Sequence, residues 1–397
     1  VEDGCAQHLP ANVVAVDTAS GVDAALCGAP NSPCATLTAA LARASTIEAS
    51  SIVVGAGLYA KELELKRPVE ITGGWKRVGG CWQPTSEKPI IRAPNERNVT
   101  VFVQANGRVR LSKLVIQTKS SAVEGESIYG VFAVGATTEL VLEQVDVTAA
   151  SGGAGADGVP AVSTAAPAAT CVAGTGADAP PAPVTAETQP GVFSSVGYTR
   201  RGGAPANKGN NGYPGKLATT VSGTCWACNG GSGGVYCVSG VKVNVVGKSG
   251  CGGLGGAPGN AGKGGGSSIA VFVWDAKVDI TGGALTAGDG GDGGQGTAGA
   301  EPSAPTTGSD ESKQCAAACE GQGQYSCHLS NAKALTSYGT TGGKGTAGGR
   351  GGDGAGGFAY AIYKGGTAST VDLAGVALQV GSPGLGGANG VAAAKNF

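Results

Sequence analysis

The stretch VRLSKLVI at residues 109–116 decides the fold, together with LVLEQVDV at 140–147, VDITGGAL at 278–285 and VDLAGVAL at 371–378. All four carry one spacing: apolar, any, apolar, a kink of two or three residues, then apolar, any, apolar. Val109, Leu111, Leu114 and Ile116 set it. Leu140, Leu142, Val145 and Val147 repeat it, as do Val278, Ile280 and Leu285, with Gly283 in the third slot, and Val371, Leu373, Val376 and Leu378. Alternation on both sides of a kink reads as two short strands meeting at a corner. A further alternating strand precedes three of the copies, with Tyr129, Val131 and Ala133, then Ile269, Val271 and Val273, then Ala359, Ala361 and Tyr363 set on one face. Three short strands per unit, stacked on like neighbours, predict a parallel β-helix. The copies begin 31, 138 and 93 residues apart, so insertions must leave the coil and return in phase.

Toward the amino terminus, residues 35–44 predict a helix with Leu37, Leu41 and Ala44 placed to cover an open first turn. Residues 52–54, Leu63 with Leu65, Val69 with Ile71, and 99–103 read as strands. The segments SPCATLTAALARA, IVVGAGLYAKELEL and VEITGGW resemble the opening of bacterial secreted proteins of the pectate-lyase-like superfamily, over residues 12–148 and again in the later copies. The resemblance implies an all-β, right-handed parallel β-helix. It implies no single activity, because that superfamily holds lyases, hydrolases, adhesins and phage spikes.

Between the copies, glycine recurs every third residue, from Gly247 to Gly265, from Gly339 to Gly357, and in shorter runs at 152–158, 203–215, 290–299 and 381–390. An extended left-handed helix has three residues per turn, so this period bares one edge to an approaching backbone. The spacing predicts a polyglycine-II-like bundle inserted in the coil, and it resembles the glycine helices of phage tail-tip adhesins and an insect antifreeze protein. The chain divides into a cap and first coils at 1–148, a glycine- and cysteine-rich insertion at 149–266, a coil at 267–287, a second insertion at 288–357, and a last coil with a terminal glycine run at 358–397. Residues 159–190, rich in Ala, Thr and Pro, read as linker over part of their length.

Twelve cysteines, no methionine and a chain that opens on Val1 predict a secreted product in an oxidising compartment. Cys5, Cys27, Cys34, Cys81, Cys171, Cys225, Cys228, Cys237, Cys251, Cys315, Cys319 and Cys327 are the disulfide candidates. Cys27 with Cys34 is the pairing the spacing suggests, and the others stay open. Cys225 and Cys228, with Cys237 and Cys251, also have the spacing of a structural zinc site. With 27 basic against 28 acidic residues, the net charge of −1 argues against nucleic acid as a partner. No apolar run approaches the roughly 18 residues of a membrane span.

Catalytic chemistry is not expected. Asp-Asp, Asn-Thr-Asp and His-Gly, motifs of β-helix hydrolases, do not occur, and His8 and His328 read as surface residues. Asp279 and Asp372 share a register that Asp146 does not. No cofactor is expected; calcium is the alternative at 152–159, whose pattern fits a single calcium-binding nonapeptide. Asp289, Asp292 and Asp353 read as decoration of exposed rod positions. Trp75, Trp82 and Trp274 are assigned to core or cap packing. Tyr213, Trp226, Tyr236, Tyr325 and Tyr338 are the candidates for contact with a partner. These features point to a secreted, non-enzymatic structural protein that self-assembles into a surface fibre or coat with adhesive capacity. A receptor-, glycan- or ice-binding module and a polysaccharide-active enzyme are the alternatives.

Overall fold

The computed structural model describes residues 9–10, 12–182, 187–231, 234–314, 326–329 and 334–397, with side chains outside 227–239 and 326–329. Three sheets of parallel coil strands stack into a parallel β-helix. The first sheet runs from Val13–Val16 through Ser51–Gly55, Val69–Val78, Gly107–Ser112, Thr138–Glu143 and Lys277–Thr281 to Thr370–Ala374. The second ends on Ala284–Ala287 and Ala377–Val380, and the third on Ser268–Trp274, Ala359–Gly365 and Ala392–Lys395.

The four sequence copies lie in register. Val109 pairs with Leu140, Leu140 with Val278, and Val278 with Val371. Across the corner, Ile116 pairs with Val147, Val147 with Leu285, and Leu285 with Leu378. The kink has a backbone cause. Lys113, Gln144, Gly282 and Gly375, the fifth residue of each copy, all take the left-handed conformation, with φ of 56°, 54°, 65° and 63°. That region disfavours side chains with a Cβ. Lys113 and Gln144 are held there by bonds that run coil to coil, Lys113 N–H to Glu143 O and Gln144 N–H to Thr281 O.

Apolar side chains from all three sheets fill the interior, and Val109, Leu111, Leu114 and Ile116 are fully buried. One end of this core is closed. The helix Leu37–Thr46 is capped by Thr36, whose hydroxyl accepts the Ala39 N–H, and it lays Leu37, Ala40 and Ala44 over Val14 and Val16. At the other end no described residue forms a comparable cover, and Val371, Leu373, Val376 and Leu378 stay half-buried where Val278, Ile280 and Leu285 of the preceding coil are sealed.

The third sheet departs from simple alternation. Val131, Ala133, Val271, Val273 and Ala361 point into the core, but Tyr129, Ile269 and Tyr363 lie on the outer face. The reason is a local irregularity in which two consecutive residues, Ala270 with Val271 and Ala361 with Ile362, both turn inward and shift the parity that follows or precedes them. Gly130 takes the same slot one coil earlier, where a Cβ would meet the Val147 side chain at 2.3 Å.

The glycine segments form rods joined by backbone hydrogen bonds. Gly250, Gly253, Gly256, Gly259, Gly262 and Gly265 donate to Thr340, Gly343, Thr346, Gly349, Gly352 and Ala355, one bond every third residue. Antiparallel to the same rod, Gly215, Gly212, Gly209 and Gly203 donate to Gly250, Gly253, Gly256 and Gly262. None of the periodic glycines between 247 and 265 or between 339 and 357 has a left-handed φ, so what these positions require is the missing Cβ. A Cβ at Gly259 would lie 1.9 Å from Thr297 O, and one at Gly262 1.9 Å from Gly294 O.

Two features add to the sequence reading. Residues 159–170 continue a rod, with Val159 O accepting from Asn260 and Thr297 side chains and Ala168 O from the Thr306 hydroxyl. The rod carboxylates are also more than decoration. Asp157, Asp289, Asp292 and Asp353 accept the N–H groups of Gln295, Ser382, Leu385 and Gly296, satisfying backbone donors of neighbouring rods.

Candidate functional site

The outer face of the third sheet carries a ladder of aromatic rings. Phe102 pairs with Phe132, Phe132 with Phe272, and Phe272 with Tyr363, so strand register alone places the rings one coil apart. Their centroids are 5.8, 4.5 and 5.4 Å apart and the rings are stacked. The strand spacing of about 4.8 Å matches the range in which offset stacking is favourable. Trp274 follows two residues after Phe272 and lies nearly parallel to it, at 6.2 Å and 12°. Gly365 on the next coil makes room for it, since a Cβ there would come within 2.4 Å of the indole.

A hairpin between two rods, Val192–Ser194 with Gly197–Thr199, folds back over the later half of this ladder. Phe193 stacks on Tyr363 at 3.9 Å, and the Tyr198 N–H donates to the Tyr129 hydroxyl at 2.8 Å. Burial raises the Tyr129 hydroxyl and pushes that of Tyr198 up to about 12, with Tyr129 beside it adding to the shift. The earlier half stays open as a groove of about 860 Å³. Phe102, Tyr129, Phe132 and Trp274 form its apolar floor, exposed Val196 at the hairpin tip bounds one side, and Asn98, Gln104 and Asp275 supply polar groups at the rim. Asp275 is fixed by its left-handed φ of 51° and by the Ala368 N–H, which donates to Oδ1 at 2.9 Å.

The residues singled out from sequence lie elsewhere. Cys27 bonds Cys34 as the spacing suggested, and Cys171 bonds Cys251, clamping the rod that begins at 171 to the rod at 247–266. Cys251 is therefore unavailable to the zinc set weighed with Cys225, Cys228 and Cys237. Cys81 and Cys225 are also disulfide-bonded. Cys5, Cys315 and Cys319 lie outside the described residues, as do the side chains of Cys228, Cys237 and Cys327. Tyr213 and Tyr338 are exposed on rods, at 47% and 73%, and Trp226 is half-buried in the distal hairpin, where Gly240 gives it space. No ring contact joins these three among the described residues. Tyr325 and the side chain of Tyr236 lie outside them.

Asp279 pairs with Asp372, whereas Asp146 belongs to another sheet and holds Lys88 at 2.7 Å. Trp82 packs on Ala15 and Val53 in the cap region and donates to Pro30 O at 2.9 Å. Trp274 packs against the Phe272 cluster, as expected of the tryptophans, and lines the groove as well. Phe102, Phe132 and Phe272 escaped sequence reading, although their recurrence one residue after an inward valine in successive coils was the available signal. No family model, curated protein or solved structure matches the chain.

Proposed function

We propose that the protein is a secreted, non-enzymatic structural protein whose coil mounts a stiff glycine arm, and that copies join into a surface fibre or coat with adhesive capacity. One observation carries this reading: rods and coil share a single hydrogen-bonded register, so the arm is braced from its root to the cysteine-rich hairpin Val221–Gly231 and Gly234–Val245 at its far end. The bonded cysteines support an oxidising, extracellular setting. The capped parallel coil supports the likeness to pectate-lyase-like secreted proteins in shape, and carries no activity with it.

The last coil supplies a means of joining. Among the described residues, Thr370–Ala374, Ala377–Val380 and Ala392–Lys395 each end a sheet, and no strand pairs with their outer edges around half-buried Val371, Leu373 and Val376. Because the helix Leu37–Thr46 closes the first coil, two open ends meet through a two-fold axis, and growth into a fibre needs a second contact from the outer rods. Sedimentation and electron microscopy of the native protein test this. Concentration-dependent pairs and longer assemblies are expected, and a Leu373→Lys, Val376→Lys variant should lose the pair. Dispersed monomers at high concentration would overturn it.

A further inference from the structure

The aromatic groove lies on the outer face of the third sheet, with Thr367 and Ala368 of the last coil at its rim, and its chemistry defines an occupant without reference to self-association. Its volume of about 860 Å³ lies within the range of small-ligand sites, which combine an apolar floor with a few placed polar groups. A peptide added as an extra strand is disfavoured. Val99–Val103 and Ile128–Val134 are paired on both sides, so no sheet edge is offered there. A polyanion is disfavoured as well, because the described lining residues include Asp275 and no lysine or arginine.

What remains is a ligand with flat, weakly apolar faces and an edge of neutral hydrogen-bonding groups. Rings on the floor match the faces. At the rim, the Gln104 amide is exposed and has no protein hydrogen-bond partner among the described residues. Asn98 uses its Nδ2 on Ser127 O at 3.1 Å and keeps its oxygen, and Asp275 commits Oδ1 to Ala368. Amide and carboxylate groups of this kind pair with vicinal hydroxyls. The floor spans three coils, Phe102 to Trp274, about 10 Å at the strand spacing of about 4.8 Å, which suits more than one sugar ring. We propose that the groove is a binding site for an uncharged oligosaccharide, with sugar rings laid on Phe102 and Trp274 and hydroxyls taken by Gln104, Asn98 and Asp275.

Calorimetric titration of the full chain with cello-, xylo-, manno- and chito-oligosaccharides, and with oligogalacturonate as the charged counterpart, tests the assignment. Saturable binding of at least one neutral series and none of oligogalacturonate is expected. Gln104→Ala should weaken binding about fivefold, the worth of one hydrogen bond, and Phe102→Ala tenfold or more. Gln104 is exposed and belongs to no ring pair of the ladder, so its variant keeps the test valid even where Phe102→Ala disturbs the stack. Absence of binding to every neutral series, equal binding of oligogalacturonate, or unchanged affinity in both variants would overturn the proposal.

Discussion

Replacing Gly256 with alanine probes the inserted bundle most directly. A Cβ at this position would lie 1.8 Å from Ala300 O and 2.6 Å from Gly348 N, atoms of two different rods. Ordinary contact needs roughly 3.4 Å, so the rods would have to part by on the order of 1.5 Å, because backbone atoms in close packing cannot yield as a side-chain tip can. Four bonds meet there: Gly256 N–H to Thr346 O, Gly209 N–H to Gly256 O, Gly348 N–H to Ala300 O and Ala300 N–H to Ala257 O, all between 2.8 and 3.0 Å. Losing three of them at about 1 kcal/mol each costs about 3 kcal/mol. Alanine returns about 0.4–1 kcal/mol by restricting the unfolded chain. The net expectation is a loss of about 2–3 kcal/mol, read as faster hydrogen exchange at the amides of 250–265 with coil amides unchanged. Pro258→Ala, at an exposed position of the same rod, should change exchange by less than about 1 kcal/mol. Slower exchange or no change in Gly256→Ala would refute the packed-rod account, since only a position with no close backbone neighbours tolerates the added Cβ.

Three further outcomes follow from the same geometry. Cys171 and Cys251 are 80 residues apart and Cys27 and Cys34 only 7, so chain entropy predicts that paired serine substitution costs about 4–5 kcal/mol in the first case and about 2 kcal/mol in the second, measured by denaturant midpoint. Because burial raises Tyr198 to about 12, its neutral form contributes stability that is complete below the ordinary tyrosine pKa near 10 and is lost as pH rises through 12. Alkaline titration followed by tyrosinate absorbance should show that late ionisation, and Tyr198→Phe should remove it. The Gly296 N–H and the Arg350 guanidinium hold the Asp353 carboxyl below the usual range, so its contribution is present above about pH 4 and fades as pH falls through the lowered value. Asp353→Asn should flatten that part of an acid-unfolding curve.

The coil was legible because its interior is written in side chains: a valine, leucine or isoleucine at each inward slot leaves a period-two trace on both sides of the corner. The third sheet was less so, since two consecutive inward residues at Ala270 and Val271 break that trace and put Tyr129 and Tyr363 on the opposite face from the one alternation assigns. The groove was missed for a related reason. Its rings come from strands 30 and 140 residues apart, and only coil register brings them together, as Phe102 to Phe132 and Phe132 to Phe272. The rods could be read as rods from glycine spacing, but not the partners of each rod, because glycine carries no side chain to mark them.

That last difficulty has a physical answer in the coil. A three-residue period lets one glycine rod slide past another by three positions with little change in bonding, so rods alone specify register weakly. The coil removes the ambiguity. Val147 pairs with Leu285, an offset of 138 residues, and the rods that leave just after them keep it, with Ser151 Oγ accepting from Asp289 N–H and Asp157 Oδ1 from Gln295 N–H. Ser268 pairs with Ala359, an offset of 91, and the rods that enter just before them bond Gly265 to Ala355 and, five turns away, Gly250 to Thr340. Leu285 with Leu378 fixes the short final rod in the same way, through Gly290 to Ser382. Apolar packing inside the coil thus sets a register that backbone hydrogen bonds only extend, and bonds between rods near their roots should form before those near the tip. Shifting one corner by a residue, with an insertion between Ala287 and Gly288, should therefore weaken protection along the whole 288–308 rod and not merely at its base.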